Sequence, residues 1–286
     1  AQCHNHPFER WTMDDYYSFA AFFAQVGRKS SSDPRETVVY NSGSGEVKNL
    51  RDGQVMQPKF LGGATPDLAG RDRREVLAEW LASDQNPWFA ENVANRVWQT
   101  FFGQGIIEPV DDVRVSNPPS NPQLLDALGK KLTEYNFDLR QLIRDICNSN
   151  TYQMSTIPPE ESKQDMRNFA YAQVRRLPSE MLLDAICEVT GTQVKFASLP
   201  LGARASQVAD GPSGNYFLEV FGRPARDSAC TCERRGEPTL AQALHLINGD
   251  TITKAIQTPE GRLAAAVASE QPTPEVVREL YIAALS

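Results

Sequence analysis

The first residues of the chain carry its sharpest chemical signal. Ala1-Gln2-Cys3-His4 are the last four residues of a C-x-x-C-H pattern whose leading Cys would immediately precede Ala1. In that pattern two thiols form thioethers with the haem vinyl groups, and the adjoining His ligates the iron. Three readings fit Cys3 and His4. They attach haem c, with Cys3 as the thioether and His4 as the proximal ligand. They hold zinc or iron, with His6 joining them, since thiolate and imidazole suit both metals. Or they form a structural Cys-His turn. His6 cannot reach the far side of a haem held by His4, because only one residue separates them. His245 and the five methionines (Met13, Met56, Met154, Met166, Met181) are conceivable distal ligands, and nothing in the spacing chooses among them.

Other reactive side chains are less specific. The five cysteines include Cys147 and Cys187, which fall on apolar stripes where a thiol acts as a small hydrophobe. Cys230 and Cys232 differ, lying in the polar stretch 226–236 as C-x-C, a poor zinc spacing by itself. Acid–base candidates are Asp111 and Asp112, which follow Glu108-Pro109, and Glu233; adjacent carboxylates in a polar loop are more commonly solvated or capping groups. Asn95-Arg96 reads as a buried polar anchor, Arg96 pairing with a carboxylate such as Asp126 or Glu180; the alternative is an anion or substrate site. His245 is expected to be a hydrogen-bonded helix residue. No G-x-S-x-G, P-loop, H-E-x-x-H or G-x-G-x-x-G pattern occurs, so no named catalytic machinery is implied.

The remaining composition narrows the class. With 29 basic against 36 acidic residues and a net charge of −7, the chain lacks the basic face that a nucleic-acid partner requires. No apolar run approaches the ~20 residues of a membrane-spanning helix. A length of 286 residues suits about two domains. Both ends read as cut, one inside a motif and the other inside an amphipathic helix, so the chain is expected to be part of a longer protein.

The elements that would carry these residues are mainly α. A helix is expected over 14–26, entered through Thr12 with a carboxylate three positions on. A β-hairpin is expected near 36–61, pairing 37–40 with 46–50 across a Gly-bearing loop, with 55–61 as a possible third strand. Helices follow over 74–81, from Asn86-Pro87 to a stop at Gly103, from Asn121-Pro122, after Asp138, and from an N-capping Ser179 to Gly191. A short strand is expected near 215–220. Helices return over 239–247, 251–257, 262–268 and from Pro274.

In order along the chain, these residues match a known pair of families. Cys3-His4-Asn5-His6-Pro7-Phe8-Glu9-Arg10-Trp11-Thr12, with Asp15-Tyr16-Tyr17 and Ala21-Phe22-Phe23, resembles the end of domain of unknown function 1549 (residues 1–60). From about residue 65 the chain resembles domain of unknown function 1553. The matching pieces include Leu77-Ala78-x-Trp80-Leu81, Asn95-Arg96-Val97-Trp98, Asn121-Pro122-x-Leu124-Leu125-Asp126 and Thr239-Leu240-Ala241-Gln242-Ala243-Leu244. The division implied is 1–63 and 64–286, each truncated at its outer end. Such proteins are exported and planctomycete-type, often behind a cytochrome c segment. The resemblance implies an extracytoplasmic setting, a redox link and an upstream cytochrome c partner within the parent chain, but no catalytic mechanism. The other readings are a non-catalytic helical scaffold binding envelope proteins or polysaccharide, and an uncharacterised hydrolase.

In an oxidising compartment exposed unpaired thiols are few. The loop carrying Cys230 and Cys232 is therefore expected to pack near Cys3, so that Cys3 and the Cys expected before Ala1 meet Cys230 and Cys232 as disulfides or as a four-sulfur metal site. The competing expectation buries the C-x-C under neighbouring helices.

Overall fold

The computed structural model describes residues 2–33, 36–86, 88–165, 167–197, 199–209, 214–227 and 238–285. They divide into two compact units, Ala1–Gln173 and Val174–Ser286. The chain is mainly α-helical with small β elements, as the periodicity predicted.

The first unit opens on α1 (Met13–Ala20), whose start is a reciprocal capping box. The Asp15 N–H donates to Thr12 Oγ1 at 3.1 Å, and the Thr12 N–H donates to Asp15 Oδ2 at 3.0 Å. Burial pulls the Asp15 carboxyl up, but the hydrogen bonds it accepts from Thr12 and the positive charges of Lys59 and Arg10 outweigh it, so its pKa lies below the usual carboxylate value. The helix is shorter than predicted. It tightens into a 3-10 turn at Ala21–Phe23, and the chain then enters strand β1 (Val26–Ser30). The expected hairpin partner is also different. β1 pairs antiparallel with β2 (Thr37–Asn41), while β3 (Val47–Lys48) pairs with β4 (Val55–Met56). Gly27 explains the first pairing. Its register partner is Tyr40, whose ring would lie 2.6 Å from a Cβ at position 27, so the missing side chain leaves room for the ring to cover the strand.

Beyond the sheets come α2 (Arg73–Leu81), α3 (Phe89–Phe102), α4 (Pro122–Glu134) and α5 (Leu139–Asn148). Their ends follow local signals in the sequence. The carboxylate of Asp72 caps α2, Asn121 caps α4 with Pro122 in its first turn, Asp138 caps α5, and Gly103 ends α3 in the left-handed conformation at φ 77°. The first core joins Trp98, Ile106, Leu125, Leu132, Leu142 and Ile146. A second cluster packs Phe22, Leu77 and Trp80 against Phe60, the Phe60 and Trp80 rings stacking at 4.7 Å.

The second unit is built on α6 (Ser179–Thr190), which ends at Gly191 as expected. Ser179 is not its cap. It is the first helical residue, wholly buried, with its hydroxyl on Glu180 at 3.1 Å. The strand expected near 215–220 is instead a helix, α7 (Tyr216–Val220), and this corrects the sequence reading. Asn215 caps it by accepting from the Leu218 N–H at 3.2 Å. Phe217 and Leu218 are both buried, which a helix allows and the alternating faces of a half-buried strand do not. Helices α8 (Leu240–Asn248), α9 (Asp250–Gln257), α10 (Arg262–Ala268) and α11 (Thr273–Leu285) follow close to the predicted bounds.

Candidate functional site

The Cys-His segment is an exposed loop pinned to α1 at several points. The Met13 N–H donates to Asn5 Oδ1 at 3.0 Å, the His6 N–H donates to the Trp11 carbonyl at 2.8 Å, and the Tyr17 hydroxyl donates to the Gln2 carbonyl at 2.8 Å. Cys3 carries a free, exposed thiol. The two imidazoles beside it are in opposite states of readiness. His4 Nδ1–H donates to the Asn5 carbonyl at 2.7 Å, which leaves the Nε2 lone pair facing solvent. A metal-bound His commonly donates its other ring N–H to a carbonyl in this way. His6 Nδ1 instead accepts from the Phe8 N–H at 3.3 Å, which places the neutral ring's proton on Nε2. His4 is thus prepared as a ligand through Nε2, and His6 is not. Among the described residues no group of three or more His, Cys, Asp or Glu side chains gathers where it could hold a metal ion. Cys230, Cys232 and Glu233 lie outside the described residues, as does the predicted approach of that loop to Cys3.

Asn95 and Arg96 resolve into separate roles. Asn95 is fully buried in α3 and spends its amide on the following loop. Its Oδ1 accepts from the Ile106 N–H at 2.7 Å and the Ile107 N–H at 3.1 Å, while its Nδ2 donates to the Ile107 carbonyl at 3.0 Å. It is the polar anchor expected of it. Arg96 pairs with Asp111 and donates to Asn92 Oδ1 at 3.1 Å. The partners expected for it are engaged elsewhere, Asp126 with Lys130 at 2.7 Å and Glu180 with Arg223 at 3.5 Å. Asp112 pairs with Arg114 at 2.9 Å, and Glu108 Oε2 accepts from the Gly105 N–H at 2.7 Å. The acidic run 108–112 therefore closes a loop, and Asp111 and Asp112 do not converge on an open reaction centre. That run, together with Asn95, fixes one wall of a cavity of about 750 Å³ in the first unit.

The remaining candidates are scattered between packed and exposed positions. His245 shares a hydrogen bond with Thr251 Oγ1 at 3.1 Å and lies among the rings of Tyr216, Phe217 and Phe221. Burial, with Asp184 nearby, raises the Cys187 thiol above its ordinary pKa, which makes it a poor nucleophile. Met13 is buried at the start of α1, whereas Met154 and Met181 are exposed. Glu9, Arg10, Trp11 and Trp88, which line the cavity, carried no role in the sequence reading. The available signal was the run Glu9-Arg10-Trp11 directly after the Cys-His segment, and its spatial partner Trp88 lies too far along the chain to be associated with it by spacing.

Comparison with known families places this geometry. Residues 73–207 match the family described as Protein of unknown function (DUF1553), and residues 1–28 match Protein of unknown function (DUF1549). The two matches follow one another in the order expected from the sequence. No curated protein and no solved structure matches it. The DUF1549 match covers the Cys-His loop and α1 into β1. The DUF1553 match begins with α2 and runs through α6 to the turn at Ala205–Gln207.

Proposed function

We propose that the DUF1549 end of this chain is the ligand-bearing half of a haem-attachment site in an exported, redox-linked protein. Cys3 would supply one thioether and His4 a nitrogen donor to the iron. The observation that carries the reading is the state of His4: its Nδ1–H is committed to the Asn5 carbonyl and its Nε2 is open, directly beside an exposed free thiol. The residues present therefore fit the group. Haem, when bound, supplies one-electron redox chemistry.

The protein's own part is to hold the two donors. The Asn5–Met13, His6–Trp11 and Tyr17–Gln2 hydrogen bonds limit the loop's freedom and reduce the ordering cost of ligation. The resemblance to exported proteins with a cytochrome c segment supports the extracytoplasmic setting. The test is production of the parent chain, with the residue before Ala1, in a host that matures c-type cytochromes. A covalent haem band on a denaturing gel that is lost in Cys3→Ala, and an altered haem spectrum in His4→Ala, are expected. Colourless protein, or protein carrying stoichiometric zinc in place of iron, refutes the reading.

A further inference from the structure

The cavity of about 750 Å³ in the first unit is lined by groups that the haem reading does not use. Trp11 and Trp88 meet edge to face in it, centroids 6.0 Å apart at 84°. The Arg10 guanidinium lies over both rings, 4.6 Å from the Trp11 centroid and 5.6 Å from that of Trp88. Gly62 lets a turn close against this stack. Its φ is +65°, and a Cβ there would stand 3.2 Å from Arg10 Nη2 and 3.3 Å from the Trp88 ring. The hydrogen-bonding groups around the aromatics are unspent. Glu9 Oε1 is buried and accepts no hydrogen bond among the described residues. Asn86 uses its Oδ1 on the Trp88 and Phe89 N–H groups, and Asn92 uses its Oδ1 on Arg96, so both amide NH₂ groups are without a partner among the described residues.

These groups discriminate among ligand classes. A buried acceptor without a donor costs about 1–3 kcal/mol, which a ligand hydroxyl would relieve once the Glu9 side chain turns that oxygen into the cleft. An anionic ligand would meet the Glu9 carboxylate. A cationic ligand would want the aromatic faces, but Arg10 already occupies the cation position over both rings. Glu91 and Arg114 also line the cleft, so its charges are of mixed sign, and a neutral molecule with an apolar ring face and many hydroxyls meets its acceptor and its donors without bringing in an unbalanced charge. Its volume also falls in the usual range for a small-ligand site. We propose that this cleft binds a neutral saccharide, which stacks against the indole walls, donates a hydroxyl to Glu9 and accepts from Arg10, Asn86 and Asn92.

The test is a titration of the whole chain with cellohexaose, xylohexaose and mannohexaose, followed by tryptophan fluorescence and calorimetry, with choline chloride as the cationic control. Saturable binding of at least one hexasaccharide is expected, weakened about tenfold by Glu9→Gln, which removes one charge-assisted hydrogen bond, and weakened also by Arg10→Ala. Both side chains lie outside the cores, and an unchanged circular dichroism spectrum checks that each variant folds. Absence of saturable binding to all three sugars overturns the proposal. So does binding that both variants leave unchanged, or saturation by choline in place of the sugars.

Discussion

Replacing Asn95 by Ala is the most exacting test of how the first unit holds its loop. Three hydrogen bonds would go at once, at 2.7, 3.0 and 3.1 Å, and their backbone partners belong to Ile106 and Ile107, which are 1% and 6% exposed. Two N–H groups and a carbonyl would be left buried without partners, each costing about 1–3 kcal/mol if nothing relaxes. Partial opening of the loop to water would recover some of this, so a net loss of about 3–5 kcal/mol is expected, in the range reserved for broken buried networks. For a unit of this size that lowers the melting midpoint by about 10 °C. All four tryptophans lie in residues 1–173, so their fluorescence follows this unit alone during urea unfolding. Asn95→Leu separates bonding from volume: it fills the space but restores no hydrogen bond, and should remain far below wild type. A loss under about 1 kcal/mol for Asn95→Ala, or wild-type stability for Asn95→Leu, would refute the claim that this amide holds the loop.

Three further outcomes are expected. Gly105→Ala would put a Cβ 2.3 Å from the Ile107 carbonyl oxygen and 2.8 Å from Val110 Cγ1, so the loop must shift; a loss of about 2 kcal/mol in the same unfolding assay is expected. The Glu91 carboxyl is raised above its usual pKa by burial and by Asp126; the fold therefore holds its proton more tightly than the unfolded chain, and the penalty grows as pH rises through and above 4.5. Glu91→Gln should raise the melting midpoint at pH 7 and lose that advantage at pH 4, and an equal difference at both values would contradict the assignment. Thr12→Ala removes the cap of α1 and should cost about 1 kcal/mol, read as a lowered urea midpoint.

The helices were legible because their boundaries are written locally. Asn121-Pro122, Asp138, Gly103 and Gly191 each act within one turn of their own position, and the structure uses each as a cap or stop. Pairing of strands was not legible. The residues 26–30, Val-Gly-Arg-Lys-Ser, carry neither strand alternation nor β-branched residues beyond Val26, and only the Tyr40 ring lying across Gly27 shows why they pair with 37–41. The run 215–220 misled for a related reason. Its aromatic and β-branched residues favour a strand, yet Asn215 supplies a cap, and packing draws Phe217, Leu218 and Phe221 into one core.

The candidate sites divide along the same line. Cys3 and His4 are adjacent in sequence, and their chemistry is carried by residue type and spacing alone. What spacing could not supply was the choice between His4 and His6, which depends on whether a neighbouring backbone group accepts from Nδ1 or donates to it. The cleft is a stronger case of the same difficulty. Its aromatic pair joins residues 77 positions apart by subtraction of the two numbers, Trp11 and Trp88, and its third component is a glycine. Its character comes from groups that find no partner among the described residues, and an unspent donor or acceptor can be recognised only after its neighbours have been placed. Asn95 connects the two levels. It is a single residue whose amide bonds to Ile106 and Ile107, and it thereby settles where Ile107 stands in the lining that also holds Trp11 and Trp88. Disturbing Asn95 should therefore degrade saccharide binding in step with stability, whereas Glu9→Gln should weaken binding and leave the unfolding midpoint nearly unchanged. That separation distinguishes a residue that builds the cleft from one that meets its ligand.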